Sequence, residues 1–460
     1  MPDGHYKGSR AHVGHSTPRP DADAKVRGMA HYVDDLPFDG LHGATVRTNV
    51  ARGRVVGVRF GDISDLGVEW TEFGIVMASD IPRRSAVDGI DPNQVMLLER
   101  DQPYLVRDDF RHMHEPVVLI AHPSLEVVRA AVSRVVLSIE PLPGVFDYRT
   151  APPLELVQHG PTDAAPEDRN VQKAISVRKG DGEDAAAFKA RIDGCAYVVE
   201  GTYETQAQEQ CYIETQGIIA RVVVDAEDAP SAAHPSRPMW PTKPFKVEVE
   251  GSIQCPYYVH KALVSLFALP AEGVRVIATL VGGGFGGKED YPSIIAGHAA
   301  LLAMKTRRPV KIVYERDEDM VATTKRHPSY SKVRTGHDKD GHIVAVEIDC
   351  RMDGGAYVTL SPVVLSRGII HAVGPYSVPH VRVDGRSVMT NTPPHGAFRG
   401  FGAPQTIFAF ERHMDRAAAV MGIDPVELRR RNLLRRGGVL AVSQQVDEPI
   451  ELEAWMDEAL

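Results

Sequence analysis

The sequence predicts an α/β (α+β) fold in two domains, and three observations lead to this prediction. The chain has 460 residues, 43% of them hydrophobic and 25% charged, which is enough to form large buried cores. Short β-branched segments separated by Gly and Pro dominate residues 20–145, whereas strand-like and helix-like segments alternate after residue 150. The stretch EPLPGVFDYRTAPPLEL contains four prolines and marks a domain boundary near residue 150.

The N-terminal domain, residues 20–145, follows a tail of residues 1–19 and is predicted to consist mainly of strands. The strand candidates are the β-branched segments VVGVRF (55–60), FGIVMA (73–78) and EPVVLIA (115–121). A single helix is predicted over 124–135, where apolar residues recur at helical spacing and Ser124 provides an N-cap.

The second domain, residues 150–460, alternates between the two periodicities. Its predicted elements are a helix at 181–192, a strand at 196–206, a proline-rich surface loop at 228–244, a strand at 274–281, a helix at 291–305, a strand at 309–315 and helices at 404–422 and 424–434. The last helix has a strong start signal, because Asp424 can cap it and Pro425 fits its first position.

Charge and composition exclude several classes of protein. The formal net charge of -9 gives no basic footprint for nucleic acid. No apolar run is long enough to span a membrane, and the N-terminus lacks the apolar segment of a signal peptide. The four cysteines are too far apart to form a zinc or iron–sulfur motif. We therefore expect a cytoplasmic protein with reduced thiols.

A glycine-rich loop, VGGGFGGKED (281–290), lies between a predicted strand and a predicted helix, where backbone N–H groups favour an anion. Gly282 to Lys288 match the first seven positions of a P-loop. The eighth position should be a Ser or Thr that holds magnesium, but it is Glu289, whose carboxylate would repel phosphate. The P-loop interpretation is therefore rejected.

Two other interpretations of this loop stay open on its residues alone. Gly282, Gly284 and Gly287 also spell G-x-G-x-x-G, and Glu315 ends the following strand, as in a dinucleotide-binding unit. However, Glu315 lies further from the glycines than the roughly 20 residues that such a unit has between its motif and its acidic residue. The motif also lies past the middle of the chain, whereas it normally lies near the start of its domain. Alternatively, the glycines only permit a tight turn beneath a packed helix.

A second loop of similar composition, HGAFRGFGAPQ (395–405), precedes the helix predicted at 404–422. Two Gly-Phe-Gly loops near helix starts could bind one long anionic cofactor from two sides. A guanidinium such as that of Arg399 would add charge-assisted hydrogen bonds.

The two loops, in this order, resemble the signature loops of the xanthine dehydrogenase and aldehyde oxidase family of molybdenum hydroxylases. The matching stretches are GGGFGGKE (282–289) and AFRGFGAPQ (397–405). Three more segments are similar to that family's large subunit: DAKVRGMAHYVDDLP (23–37), QAQEQCYIETQG (206–217) and the segment 326–349. The resemblance covers nearly the whole chain. It implies a hammerhead-like N-terminal domain followed by the first part of a molybdopterin-binding domain.

The resemblance implies a molybdenum cofactor in which a pterin dithiolene holds the metal, without direct protein ligands, and carries a cytosine dinucleotide in bacterial members. The loop anion is then the pyrophosphate of this cofactor. Gln208 matches the glutamine that bonds an oxygen ligand of the metal. Phe285 and Gly286 are expected to offer N–H groups near the metal's oxo ligand. The implied cofactor-binding residues are Gln208, Gly284, Phe285, Gly286, Ala397, Phe398 and Arg399.

Substrate residues also follow from the resemblance. Glu289 and Arg367 match a carboxylate and a guanidinium that face the substrate in purine-oxidising members, so they join Gln208 as catalytic candidates. Phe401 matches a ring that packs on a flat substrate. Taken singly, Glu289 could be a helix N-terminal charge and Arg367 a surface cation. The implied reaction is hydroxylation of a carbon next to nitrogen in a purine-like heteroaromatic ring, with oxygen from water.

Some positions depart from the family pattern. Gln210 stands in place of a histidine, and Cys211 stands in place of an aromatic residue. We interpret Cys211 as a small buried core residue rather than a reactive thiol.

The resemblance also implies partners. The 460 residues correspond to the first half of the family's large subunit, so the second half, with the glutamate general base, is expected on another chain. 2Fe–2S and FAD subunits are expected to accept the electrons. Three alternatives remain: an aldehyde or aryl-CoA oxidoreductase subunit, a NAD/FAD-binding dehydrogenase, and a non-catalytic assembly chain.

Overall fold

The computed structural model describes residues 16–83, 89–161, 163–224, 239–240 and 244–460. Most of the predicted tail (1–19) and of the predicted loop (228–244) lies outside these residues. No helix in the described ranges is long and apolar enough to cross a bilayer.

The described residues contain both strands and helices. The strands are β1 (Leu41–Arg47), β2 (Gly53–Phe60), β3 (Gly74–Met77), β4 (Asp109–Phe110), β5 (Pro116–His122), β6 (Val135–Pro141), β7 (Val171–Lys179), β8 (Tyr197–Thr205), β9 (Gly217–Val224), β10 (Phe245–Gly251), β11 (Val274–Ala278), β12 (Val310–Val313), β13 (Ser329–His337), β14 (Ile343–Gly355) and β15 (His380–Met389). The helices are α1 (Ala22–Val26), α2 (Leu125–Val132), α3 (Ala185–Asp193), α4 (Pro256–Phe267), α5 (Pro292–Thr306), α6 (Arg316–Ala322), α7 (Ser361–Ile370), α8 (Ala403–Met421), α9 (Pro425–Asn432) and α10 (Leu452–Ala459). The predicted mixed fold is confirmed.

These strands form sheets of seven, five and three strands in the described part of the chain. The largest has the order β11-β10-β9-β12-β1-β5-β3, and the others are β7-β15-β14-β13-β8 and β4-β2-β6. The largest sheet crosses the predicted domain boundary, since Leu41 of β1 pairs with Val310 of β12. The boundary near residue 150 stays a prediction.

Helix α5 runs through the core against the largest sheet, and all its residues from Pro292 to Met304 are buried. Its sequence is apolar on every side, as a fully buried helix requires. Small residues let neighbours approach, because a Cβ on Gly297 would collide with the ring of Tyr104. This helix fixes the glycine-rich loop that precedes it.

Helices α7 and α8 pack with the five-stranded sheet around a second core that includes Val364, Leu365, Phe410 and Met414. The second glycine loop therefore enters the site from a different core than the first. The predicted start of the helix at 424–434 is confirmed, since the Asp424 side chain caps α9 by accepting hydrogen bonds from two backbone N–H groups.

Several predicted elements differ from the structure at their ends, and in two of them hydrogen bonds account for the difference. The helix predicted from residue 181 begins at Ala185, because the Asp184 carboxylate caps it and a 3-10 turn fills the preceding residues. The strand predicted to reach residue 281 ends at Ala278, after which Thr279 N–H bonds the Gly251 carbonyl. Helix α2 lies within its predicted range and is capped by Ser124 as expected.

Candidate functional site

The two glycine loops touch each other through their backbones. Arg399 N–H donates to the Phe285 carbonyl oxygen at 2.8 Å. Gly286 has φ +101°, and a Cβ there would lie 2.7 Å from the Ala397 carbonyl and 2.8 Å from the Phe398 Cα. Only glycine permits this approach. The structure thus brings together the two loops that were predicted to share one cofactor.

Three of the nine non-glycine residues that have left-handed backbone in the described part of the chain lie in the two loops or in the segment 206–217. Phe285, Phe401 and Cys211 have φ values of 52°, 51° and 48°. Such conformations cost energy in residues with side chains and persist where the surrounding structure imposes them, which is common at functional sites.

Several N–H groups at the loop contact are left without an acceptor in the described part of the chain. These belong to Gly284, Phe285, Ala397 and Phe398. The expected role of Gly286 differs, because its N–H donates to Gln254 Oε1 at 3.1 Å, which also accepts from Lys288 N–H. The Gly286 N–H is therefore engaged within the protein, and its loop offers those of Gly284 and Phe285 instead.

A buried ion pair supports the first loop from below. Lys288 is fully buried, and its Nζ donates to the Glu214 carbonyl (2.7 Å), to Glu214 Oε2 (3.0 Å) and to Ser252 Oγ (2.9 Å). Glu214 Oε2 also accepts from Gly282 N–H at 2.6 Å. Lys288 thus points into the core, away from any ligand of the loop, which agrees with rejection of the P-loop.

The segment 206–217 runs along both loops. Gln208 is exposed, and its Oε1 accepts from Arg326 Nε at 2.6 Å. Gln210 is buried and donates from Nε2 to the Ala397 carbonyl at 2.9 Å, so this departure from the family pattern still contacts the second loop. The interpretation of Cys211 as a core residue was wrong, because its side chain is exposed.

Glu289 follows the first loop and is half-buried. Burial raises the pKa of its carboxyl group, and the neighbouring charge of Asp290 adds to the rise. Burial also raises the pKa of Asp290 to about 6. Glu289 can therefore bind a heteroaromatic ring as an acceptor when ionised or as a donor when protonated.

Arg367 lies in the last turn of α7, beside the second loop. Its neighbour Gly368 is in close contact with that loop, since a Cβ on Gly402 would lie 3.0 Å from Gly368 N. The Arg367 side chain is exposed, and no ion pair joins it to Glu289 in the described part of the chain. Phe401 is half-buried and packs against the second core. The two charged substrate candidates are thus separate, with neither neutralising the other.

The donor set at the loops fits an extended anion. The guanidinium groups of Arg367 and Arg399 form no hydrogen bond or ion pair in the described part of the chain, and Arg326 Nη1 is buried without a partner. Together with the unpaired N–H groups they offer donors from both loops. In the described residues no group of three His, Cys, Asp or Glu side chains could hold a metal ion.

The dinucleotide-binding interpretation of the first loop is wrong. Strands β11 and β12, which flank α5, are separated in the sheet by β10 and β9, and β9 is antiparallel to both of its neighbours. A dinucleotide-binding unit needs a parallel sheet in which the strands joined by the helix are not separated by an antiparallel strand. In addition, Glu315 forms an ion pair with Arg129.

Sequence reasoning missed Gln254 and Arg326, whose side chains hold the first loop and Gln208. Both have partners far away in the chain, and neither belongs to a glycine motif. The Arg-His pair at 326–327 lay in a segment already recognised as similar to the family, and this was the available signal.

Comparison with known proteins gave consistent matches. Residues 239–433 match the family model described as "Molybdopterin cofactor-binding domain". The nicotinate dehydrogenase large molybdopterin subunit of Eubacterium barkeri is 31% identical over 458 residues, covering 97% of this chain and 95% of that protein. A probable xanthine dehydrogenase subunit of Bacillus subtilis is 33% identical over 417 residues, covering 90% of this chain and 50% of that protein.

Solved structures show the same fold. The aldehyde oxidoreductase of Desulfovibrio gigas aligns with a TM-score of 0.79 at 25% identity, over 96% of this chain and 45% of the other. Quinoline 2-oxidoreductase of Pseudomonas putida aligns with a TM-score of 0.77 at 26% identity, over 97% and 53%. The chain therefore spans about half the length of the chains that it matches in these two structures.

Proposed function

The chain belongs to the xanthine dehydrogenase and aldehyde oxidase family of molybdenum hydroxylases, in which it is a molybdopterin-binding subunit, and we propose that it orients an N-heteroaromatic substrate for hydroxylation. The observation that carries this proposal is the contact between the two glycine loops through Phe285 and Arg399. Around this contact, unpaired donors from both loops can bind one cofactor.

We assign cofactor binding to Gly284, Phe285, Ala397, Phe398 and Arg399 of the two loops and to Gln208, whereas Gly286 acts by letting the loops approach each other. The unpaired N–H groups of Phe285 and Phe398 and the unpaired guanidinium of Arg399 support this assignment, and we propose the cytosine dinucleotide form. When bound, the molybdenum centre supplies the two-electron oxidation, with water as the source of oxygen. The chain's own residues position the anionic parts of the cofactor and exclude water beneath the loops.

The proposed substrate is a purine-like or related N-heterocycle. Glu289 would bond a ring nitrogen or N–H group, and Arg367 would stabilise negative charge that develops on the ring. Phe401 would pack on its face. Relatives with xanthine or nicotinate in their names support this class, since both compounds are N-heteroaromatic.

We propose that electrons pass to 2Fe–2S and FAD subunits and that a partner chain completes the cofactor site and supplies the general base. Relatives named as subunits support this assembly. The chain aligns with 95% of the E. barkeri subunit but with only 52% of the Escherichia coli molybdenum-binding subunit, which is consistent with a divided subunit. The side chains of Ile213 and Phe285 are 93% and 47% exposed beside the loops and offer apolar contacts for the partner chain.

A cytoplasmic location accords with four free cysteines, all in the described residues.

A substrate screen of the purified holoenzyme tests the proposed function. Xanthine, hypoxanthine, nicotinate and benzaldehyde are compared at equal concentration with an artificial electron acceptor. We expect the heterocycles to be oxidised with higher kcat/KM than the aldehyde. Oxidation of aldehydes alone would overturn the substrate assignment and establish the aldehyde oxidoreductase alternative.

The divided site is tested by expression with and without the proposed partner. We expect these residues alone to contain no molybdenum and to be inactive, and expect co-expression to restore both. Substrate oxidation by the isolated 460-residue chain would contradict the assignment of the base to a partner.

A further inference from the structure

We propose that Arg326 is a positioning residue that fixes the Gln208 carboxamide, so that the NH2 group of Gln208 faces the oxygen ligands of the metal. This inference rests on the proposed function, because it assigns a direction to the hydrogen bond that Gln208 makes there. It adds a residue outside both glycine loops to the machinery of the site.

The first support is a pair of hydrogen bonds between the two residues. The side-chain Nε of Arg326 donates to Gln208 Oε1 at 2.6 Å. The backbone N–H of Arg326 donates to the backbone carbonyl oxygen of Gln208 at 3.0 Å. A guanidinium has donors and no acceptor, so the amide atom facing it must be the oxygen. The hydrogen bond from Arg326 therefore fixes which side of the Gln208 carboxamide carries the oxygen and which carries the nitrogen.

The consequence concerns the other end of the amide. Gln208 is exposed, and its Nε2 has no hydrogen-bond partner in the described part of the chain. With Oε1 occupied, the nitrogen is the end that is free to meet a ligand. Gln208 can then stabilise a negatively charged oxygen by donation, which a flipped amide could not do.

Arg326 also joins this glutamine to the second loop. Its Nη2 donates to the Arg399 carbonyl at 3.0 Å, and its guanidinium lies 3.8 Å from the centre of the Phe398 ring. One planar group thus holds Gln208, the backbone of Arg399 and the face of Phe398 in register. A movement of Arg326 would alter the position of the carboxamide and of the loop together.

Apart from the Phe398 ring, the positive charge of Arg326 has no partner within the described residues. Arg326 is 8% exposed, has no carboxylate partner, and leaves Nη1 buried without a hydrogen bond. A buried cation without a counter-ion is costly. The adjacent Lys325 differs, because its Nζ lies 2.6 Å from the Glu209 carboxylate. This contrast indicates that Lys325 stabilises the segment, whereas Arg326 is oriented toward the cofactor site.

The test is a double-mutant cycle in the holoenzyme, with Arg326→Met, Gln208→Met and the double variant. Molybdenum content, thermal stability, the Mo(V) EPR spectrum, kcat and KM are measured, and Lys325→Met is the matched control for damage to the segment. We expect Arg326→Met to retain molybdenum, to lower kcat by about 10–100-fold with little change in KM, and to alter the EPR spectrum as Gln208→Met does. The double variant should be no worse than Gln208→Met.

If the losses of kcat in the two single variants multiply in the double variant, the inference is overturned. It is also overturned if Arg326→Met differs from wild type only by a loss of thermal stability like that of Lys325→Met. If Arg326→Met does not fold, Arg326→Lys is used in its place, because lysine keeps the positive charge but lacks the planar guanidinium. A kcat and an EPR spectrum equal to those of wild type in Arg326→Lys would overturn the inference. A wild-type holoenzyme without molybdenum would refute the proposed function itself. If Arg326→Met has a wild-type EPR spectrum while Glu289→Ala has a lowered turnover of heterocycles, only the role of Arg326 is refuted.

Discussion

Phe285 and Arg399 are joined by a backbone hydrogen bond of 2.8 Å, in which the Phe285 carbonyl accepts from Arg399 N–H. The first loop follows β11 in the largest sheet, and the second precedes α8 on the second core. This bond therefore lies where the two cores meet. A change that separates the loops should release the cofactor without unfolding either core.

Substitution of Gly286 by alanine should separate the loops. Its Cβ would lie 2.7 Å from the Ala397 carbonyl carbon, and φ +101° is unfavourable for any L side chain. The clash is with the backbone of the second loop. We expect a folded protein with depleted molybdenum, measured as metal per chain.

The matched control for this substitution is Gly422→Ala after α8. Gly422 also has a positive φ, of +65°, but a Cβ there meets nothing within 4 Å. It should carry the same class of backbone strain and keep its molybdenum. Equal metal content in both variants would show that the loop contact is not needed for binding.

Removal of either charged substrate residue should lower turnover of heterocycles and leave the metal in place. No ion pair joins Glu289 to Arg367 in the described part of the chain, so removal of one side chain does not leave the other as an unpaired partner. We expect Glu289→Ala and Arg367→Ala each to lower kcat/KM by about 10²-fold. Steady-state kinetics with xanthine and nicotinate check this, and unchanged kinetics in both variants would remove these residues from the site.

The buried pair beneath the first loop should be needed for stability. The side chains of Lys288 and Glu214 are 0% and 12% exposed, and Lys288→Met would leave the carboxylate of Glu214 without its cation. We expect a loss of about 3–5 kcal/mol in the free energy of unfolding. Urea unfolding measures it.

The exposed pair of Lys189 and Asp193 in α3 gives the comparison for that measurement. Lys189→Met should change the free energy of unfolding by less than about 1 kcal/mol. Adding Glu214→Gln to Lys288→Met should recover part of the stability, because the unpaired charge is removed. A Lys288→Met protein as stable as Lys189→Met would contradict this account.

A pH dependence of stability should arise at Glu115. Its buried carboxyl accepts from Tyr357 OH and from two backbone N–H groups, and burial raises its pKa to about 7 from the ordinary 4.5. Because the folded pKa is the higher one, the contribution is fully present below pH 4.5 and is lost as the pH rises to about 7. The slope is about 1.4 kcal/mol per pH unit at most.

Glu115→Gln should remove this dependence. The amide oxygen can accept from the backbone N–H groups, while the amide nitrogen can donate to Tyr357, so the packing is kept. We expect the variant to be more stable than wild type at pH 8 and similar at pH 4.5, by urea unfolding at both values. Parallel pH profiles would contradict a buried, titrating Glu115.

Local signals in the sequence predicted local structure well. Ser124 and Asp424 cap helices as expected, and the β-branched run before residue 122 is a buried strand. These features depend on neighbours in the chain, so periodicity and capping residues report them. The family resemblance was likewise confirmed by relatives of similar sequence.

The features that were missed depend on distant residues. Gln254 binds the Gly286 and Lys288 N–H groups, and Arg326 binds Gln208, yet no spacing rule connects these positions. Cys211 was misplaced because its segment has no helix or strand period to show which side is buried. The order of the largest sheet, with strands from both sides of the predicted domain boundary side by side, could not be derived from element order alone.

The most direct test of the central claim is metal and pterin analysis of the native holoenzyme. The account predicts one molybdenum per chain together with a pterin cytosine dinucleotide, both lost in Gly286→Ala and both retained in Gly422→Ala. A fully active native enzyme without molybdenum or pterin would contradict it.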